Sequence, residues 1–110
     1  MLKKNMEFFF EPRSVAVVGA SEAPGKLSAV IMDSLLSSGF TGKVIPVNPK
    51  YSSVKGLKCF PSVSEIENGV DIAVYALPAS LTLRALRDAE NKVKGAIIVV
   101  GPAGGVAQLP

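Results

Sequence analysis

Four short apolar runs, rich in β-branched residues and each stopped at once by glycine, asparagine or proline, constrain the fold most. They are Ser14-Val15-Ala16-Val17-Val18 before Gly19, Lys43-Val44-Ile45-Pro46-Val47 before Asn48, Ile72-Ala73-Val74-Tyr75-Ala76-Leu77 before Pro78, and Ala96-Ile97-Ile98-Val99-Val100 before Gly101. Unbroken rather than alternating apolar character marks strands covered on both faces, as in a parallel sheet. Parallel strands need crossovers, and the intervening segments supply them. After the small-residue loop Gly19 to Gly25, apolar residues fall at Leu27, Val30, Ile31 and Leu35, which is helical spacing. Ser37-Ser38-Gly39 ends that helix. Pro46 lacks a ladder donor and places its strand near an edge or at a bulge. Asn48-Pro49-Lys50 reads as a turn, and Leu57–Phe60 as a short third strand. Ser62 with Glu65 has the capping-box spacing for one helical turn. Ser80 caps a helix running to Lys92, with Ala85, Leu86 and Ala89 inward and Gly95 closing the segment. This order predicts an α/β, Rossmann-like, doubly wound and mostly parallel sheet in three layers, with right-handed crossovers.

A chain of 110 residues with 48% apolar content fits one domain with a real core. At that length roughly two thirds of the unfolded surface can be buried. Residues 1–100 read as that domain, and the Gly/Ala/Pro-rich stretch 101–110 as a linker or a truncated end. There is no histidine and one cysteine, Cys59. A Ser-His-Asp triad, a Cys-His dyad, a His-ligated metal, a Cys-rich zinc site and an intrachain disulfide are all excluded within this chain. The apolar runs are far shorter than a membrane span. Met1-Leu2-Lys3-Lys4 is followed by Phe8-Phe9-Phe10 and Glu11-Pro12, which is no secretory leader. With a lone cysteine this points to the cytoplasm. The net charge of +3 suits one polyanionic small molecule; the nine lysines form no basic stripe of the kind nucleic acid requires. Cys59 beside Phe60 reads as buried filler, and Phe8–Phe10 as a cap on one face of the sheet.

In a doubly wound sheet, ligands bind outside the carboxyl ends of the strands. Gly19–Lys26, Val47–Tyr51, Leu77–Ser80 and Gly101–Gly105 fall there. In the first, Gly19 allows a sharp exit from the strand and Ala20 follows it. Ser21 offers a hydroxyl, Gly25 permits close backbone approach at a helix start, and Lys26 adds charge, together an anion site. Any β–α turn in such a sheet also uses glycine and serine. The dinucleotide fingerprint is absent: the glycines are six apart, and Ala20-Ser21 stand where its middle glycine would be. Nor does Gly25-Lys26-Leu27 complete a P-loop. At the end of the second strand, where an acid would hold a ribose, stand Asn48, Pro49 and Lys50. A lysine there suits a phosphate; a solvated Asn-Pro turn would look the same. Leu77 and Pro78 form either an apolar ledge or a plain strand terminator.

Several segments in order resemble a known family. Phe9-Phe10-Glu11-Pro12-Arg13-Ser14-Val15-Ala16-Val17-Val18-Gly19-Ala20-Ser21 is similar to the opening of the CoA-binding domain of ADP-forming acyl-CoA synthetases. So are Gly39–Tyr51, with Val47-Asn48-Pro49-Lys50-Tyr51, and Gly56–Val63, with Cys59-Phe60-Pro61-Ser62. Asp71–Ala79 and Lys94–Ile98 follow suit. The chain is also similar to the N-terminal part of the succinyl-CoA synthetase α subunit. The resemblance implies a Rossmann-like domain that binds coenzyme A. Gly19, Ala20, Ser21, Gly25 and Lys26 would line the CoA phosphates; Asn48, Pro49 and Lys50 would meet the 3′-phosphate end; Leu77 and Pro78 would border the pantetheine arm. CoA carries roughly four negative charges, and Lys26 and Lys50 are the natural counter-charges. Val100-Gly101-Pro102-Ala103-Gly104-Gly105 departs from the Ser/Thr-Ala/Glu-Gly type segment the family has near the thiol. The family's phosphate-carrying histidine and ATP-grasp unit lie outside this chain, so the resemblance implies downstream or partner ligase domains. A protein acetyltransferase sharing the architecture, a stand-alone CoA-binding protein and an NAD(P)-binding Rossmann domain are the alternatives.

Overall fold

The computed structural model describes residues 11–99. The expectations for Phe8–Phe10 and for 101–110 lie outside the described residues. Strand β1 (Ser14–Val18) leads through a loop to helix α1 (Leu27–Ser37) and strand β2 (Lys43–Val47). A hairpin of β3 (Ser53–Val54) and β4 (Leu57–Lys58) follows, then a single 3-10 turn over Val63–Glu65. Strand β5 (Val70–Tyr75), helix α2 (Ala79–Asp88) and strand β6 (Val93–Ile98) complete the order. The sheet is parallel, ordered β2-β1-β5-β6.

Alternate residues of the central strands serve opposite layers, which is why these strands are apolar without a break. Val15, Val17, Ile72 and Val74 face α1, meeting Ile31, Met32 and Leu35. Ala16, Val18, Ala73 and Tyr75 face the other way, in one cluster with Val63, Ile66, Ala85, Leu86 and Ala89. The result is the three-layer, doubly wound α/β arrangement the sequence predicts. The chain leaves β1 for β2 on one side and returns to β5 on the other, so the topological switch lies between the carboxyl ends of β1 and β5.

Pro46 is tolerated for a specific reason. Lys43 N donates to Arg13 O, and Gly19 N donates to Val47 O. Residues 43 and 47 therefore bond β1, and Pro46 turns its missing N–H to the outer edge, where its carbonyl accepts from Phe60 N at 3.0 Å.

Several local expectations are corrected. Leu57–Phe60 is not one strand: Leu57 and Lys58 pair back on Ser53 and Val54, and Phe60 alone bridges Val47. Lys55 and Gly56, both at positive φ, make the two-residue turn that allows this. Ser80 does not cap α2. Pro78 stands at the cap with φ −55°, a conformation its ring presets, and the helix starts at Ala79, two residues earlier than a Ser80 cap requires. α2 ends at Asp88 rather than Lys92. Gly95 lies inside β6, because pairing of Val70 with Val93 and of Ile72 with Gly95 extends the ladder past it. Ser62 makes no side-chain cap; its Oγ lies 2.8 Å from Ser64 Oγ. On α1 the buried positions are Ser28, Ala29 and Met32, while Leu27 and Val30 are exposed. Together with the partly buried Ile31 and Leu35, the buried three form the face on the sheet, and Leu27 and Val30 lie off it. Among the described residues β6 is at the edge of the sheet, with Ile97 and Ile98 half exposed.

Candidate functional site: the carboxyl end of the sheet

At the switch point the three strand-end segments are tied to one another by backbone. Gly19 N and Ala20 N share the Val47 carbonyl, at 2.8 and 3.2 Å. Ala76 N donates to Val18 O at 2.9 Å. Gly19 has φ +92°, and a Cβ built on it would fall 2.5 Å from Ala76 O and 3.0 Å from a Leu77 methyl. Only glycine lets the chain leave β1 against the end of β5. This contact brings Leu77 to the phosphate-loop candidate, with Pro78 exposed beside it.

Asn48 joins the second segment to the first. Its Nδ2 donates to Ala20 O at 2.9 Å, and its Oδ1 accepts from Lys50 N at 2.9 Å. Its backbone N donates to Phe60 O, and Tyr51 N closes the turn on Asn48 O. All of its side-chain polar atoms therefore hold protein, which makes Asn48 the strut between the two loops; Pro49 and Lys50 project into solvent beside it. The burial of Cys59 is as expected. Its thiol lies 3.5 Å from Asn48 O, and desolvation pushes its pKa above the ordinary thiol value, partly offset by that backbone contact.

Within the first loop, Ser21 is buried and its Oγ accepts from Ala23 N at 2.9 Å. The hydroxyl hydrogen remains a potential donor. Ala23-Pro24-Gly25-Lys26 is a turn closed by Lys26 N to Ala23 O, with proline second and Gly25 at φ +85°. That is a type II pattern. Gly25 is thus required by the turn; a Cβ there would meet nothing within 4 Å. Lys26 is the N-cap of α1, exposed, with no side-chain cap bond and no acid in the first turn. An uncapped helix start with a lysine at its mouth fits an anion. The residues present therefore suit the phosphates of a CoA-type ligand: an uncapped helix start, Lys26, Lys50 and backbone glycine.

All ten candidate residues thus lie at one end of the sheet. Sequence reasoning missed Glu22 and Lys55: the Lys55 backbone N–H donates to the Glu22 carboxylate, joining hairpin to loop. The signals were present: Val54-Lys55-Gly56-Leu57 has the form of a two-residue hairpin, and Pro24-Gly25 that of a type II turn. A recess of about 1230 Å³ lies elsewhere, at the amino ends of the strands between Arg13, Phe40, Asn68 and Lys94. It is open, and among the described residues no group of three potential metal ligands forms.

The family model described as CoA binding domain matches residues 13–108. An acetate–CoA ligase (ADP-forming) of Methanocaldococcus jannaschii is 39% identical over 95 residues, covering 86% of this chain and 13% of the relative. Acetate–CoA ligase (ADP-forming) II of Archaeoglobus fulgidus is 43% identical over 91 residues, covering 82% and 14%. A solved dinucleotide-forming acetyl-coenzyme A synthetase 1 of Ca. Korarchaeum cryptofilum, in complex with phosphate and ADP, superposes with a TM-score of 0.83 at 41% identity, over 88% of this chain and 21% of that one. The chain thus spans about one seventh of these curated relatives' length. The glycine-crossed switch point, the uncapped helix start with Lys26, and the family match over nearly the whole sheet agree: this chain belongs to the CoA-binding domain family, and coenzyme A is its cofactor.

Proposed function

We propose that this domain holds CoA across the carboxyl ends of β1, β2 and β5 and presents its thiol to a ligase site on a neighbouring domain. The diphosphate lies against Gly19, Ala20, Ser21, Gly25 and the start of α1 at Lys26. Lys50, carried on the Asn48-Pro49 turn, meets the 3′-phosphate. Leu77 and Pro78 border the pantetheine arm. The observation that carries this reading is the convergence of three segments at the switch point, with a lysine where a dinucleotide site has an acid.

In this reading the whole enzyme is an ADP-forming acyl-CoA synthetase, interconverting acyl-CoA, ADP and phosphate with acid, CoA and ATP. The similar acetate–CoA ligases support it. ATP-grasp domains downstream or on a partner chain would supply the phosphoryl chemistry. This chain's contribution is positioning: it fixes the thiol so that reaction proceeds as if unimolecular. The domain boundary near residue 100, with 101–110 as a linker, belongs to the same proposal, as does a cytoplasmic site of action without nucleic-acid partners. No helix among the described residues is long and apolar enough to cross a membrane.

Calorimetric titration of the chain with CoA, dephospho-CoA and NADPH tests the site. We expect CoA to bind at about micromolar Kd, near −8 kcal/mol. Dephospho-CoA should bind wild type about 5- to 100-fold more weakly, the loss of one charge-assisted contact. Lys50→Ala should weaken CoA by a similar factor and leave dephospho-CoA nearly unchanged. NADPH binding without CoA binding would overturn the assignment.

A further inference from the structure

Lys55 stands out as the one non-glycine residue at positive φ among the described residues, at +55°. It takes the first place of the two-residue turn between β3 and β4, ahead of Gly56 at +78°. Asparagine, aspartate or glycine is favoured there: glycine has no Cβ to crowd the following carbonyl, and the short polar side chains of the other two bond locally. A disfavoured residue held in place by its surroundings points to a role for that residue. The side chain supplies one: Lys55 Nζ reaches Asp33 Oδ1 on α1 at 2.8 Å. The backbone supplies another, since Lys55 N donates to the Glu22 carboxylate in the phosphate loop.

Beneath the turn the hairpin is anchored by Val54, buried in one cluster with Ala20, Met32 and Cys59. Between hairpin and loop is a recess of about 270 Å³ bounded by Glu22, Ala23, Tyr51, Ser53 and Val54. The loop is therefore gripped on two sides, by Asn48 at the Ala20 carbonyl and by the hairpin at Glu22. Glu22 is the acid in a loop otherwise built for anions, and left to itself its charge would oppose a phosphate.

We propose that Lys55 is a positioning residue for CoA: it latches the β3–β4 hairpin to α1 through Asp33, so that the hairpin holds the Glu22 carboxylate outward and keeps the phosphate loop in its binding shape. The inference rests on the site proposed above. Cutting the latch lets Glu22 turn back toward the phosphates, so the affinity loss is electrostatic and can be undone at Glu22.

The test uses Lys55→Asn in the full chain, a change that suits the turn and removes only the long side chain. CoA affinity is measured by titration and stability by denaturant midpoint. We expect affinity to fall about three- to fivefold, the size a half-exposed ion pair can transmit, while the midpoint holds or rises. Adding Glu22→Gln to Lys55→Asn should restore affinity to within about twofold of wild type, since the repelling charge is gone. A merely structural lysine gives no such rescue. Unchanged CoA affinity in Lys55→Asn, or a loss that Glu22→Gln leaves in place, overturns the latch while wild-type CoA binding keeps the site. Wild type that binds no CoA overturns both.

Discussion

Gly19 shows how little freedom the site leaves a single residue. Its φ is left-handed and its missing Cβ is the space taken by Ala76 O. Gly19→Ala meets both obstacles at once, and we expect a loss of about 2–4 kcal/mol from strain and the forced shift of a strand end. Denaturant unfolding checks it, and CoA binding should fall with it. Gly25 is the contrast. With open space before it, Gly25→Ala pays only for backbone conformation, about 1 kcal/mol. Asn48 was legible as a turn residue, but its second bond, to Ala20 O, was not, because residues 28 positions apart give no local signal.

At the scale of elements, the apolar runs were read with the right type, since two buried faces leave no choice but continuous apolar residues; β1 and β2 have the expected bounds, while β5 and β6 begin two and three residues earlier than their apolar runs. Helix α1 was read with the right span and partly the wrong face. Leu27 and Val30 face solvent because Ser28, Ala29 and Met32, with Ile31 and Leu35, take the face toward the sheet. Met32 is fully buried, and Met32→Ala should cost about 2–5 kcal/mol through lost contacts and the cavity left behind. The start of β5 holds an acid-sensitive contact. Asp71 accepts from Arg13 N at 2.8 Å and lies 3.2 Å from Lys94 Nζ. The Arg13 N–H first, then Lys94, hold its pKa below the usual carboxylate value against the opposing effect of burial. A depressed folded pKa means this stabilisation is full above the unfolded value, about 3.9. It is lost as pH falls through the folded one. Asp71→Asn should therefore flatten the acid limb of a stability-against-pH curve below about pH 5 and lower stability at neutral pH.

For the molecule as a whole, both helical layers rest on the same central strands, so ligand binding at the switch point should stabilise them together. At a CoA concentration 100-fold above Kd, unfolding should cost about 2.7 kcal/mol more. Tyrosine absorbance, whose change comes mainly from Tyr75, buried at the end of β5, because Tyr51 is already exposed, and far-ultraviolet circular dichroism should shift by the same amount; separate transitions would refute a single cooperative unit. The sequence by itself determined the parallel α/β class, the order of the four sheet strands and two helices, and the segments that end at the carboxyl edge of the sheet. These follow from periodicity, glycine and proline, which act within a few residues. Tertiary structure alone decided that Gly19 lies under Ala76, that Asn48 props the loop after β1, that Lys55 ties the hairpin to Glu22 and Asp33, and that Ser80 and Gly95 have no boundary role. Each of these depends on which segment the sheet brings alongside, and sheet pairing acts between residues that the chain itself keeps far apart.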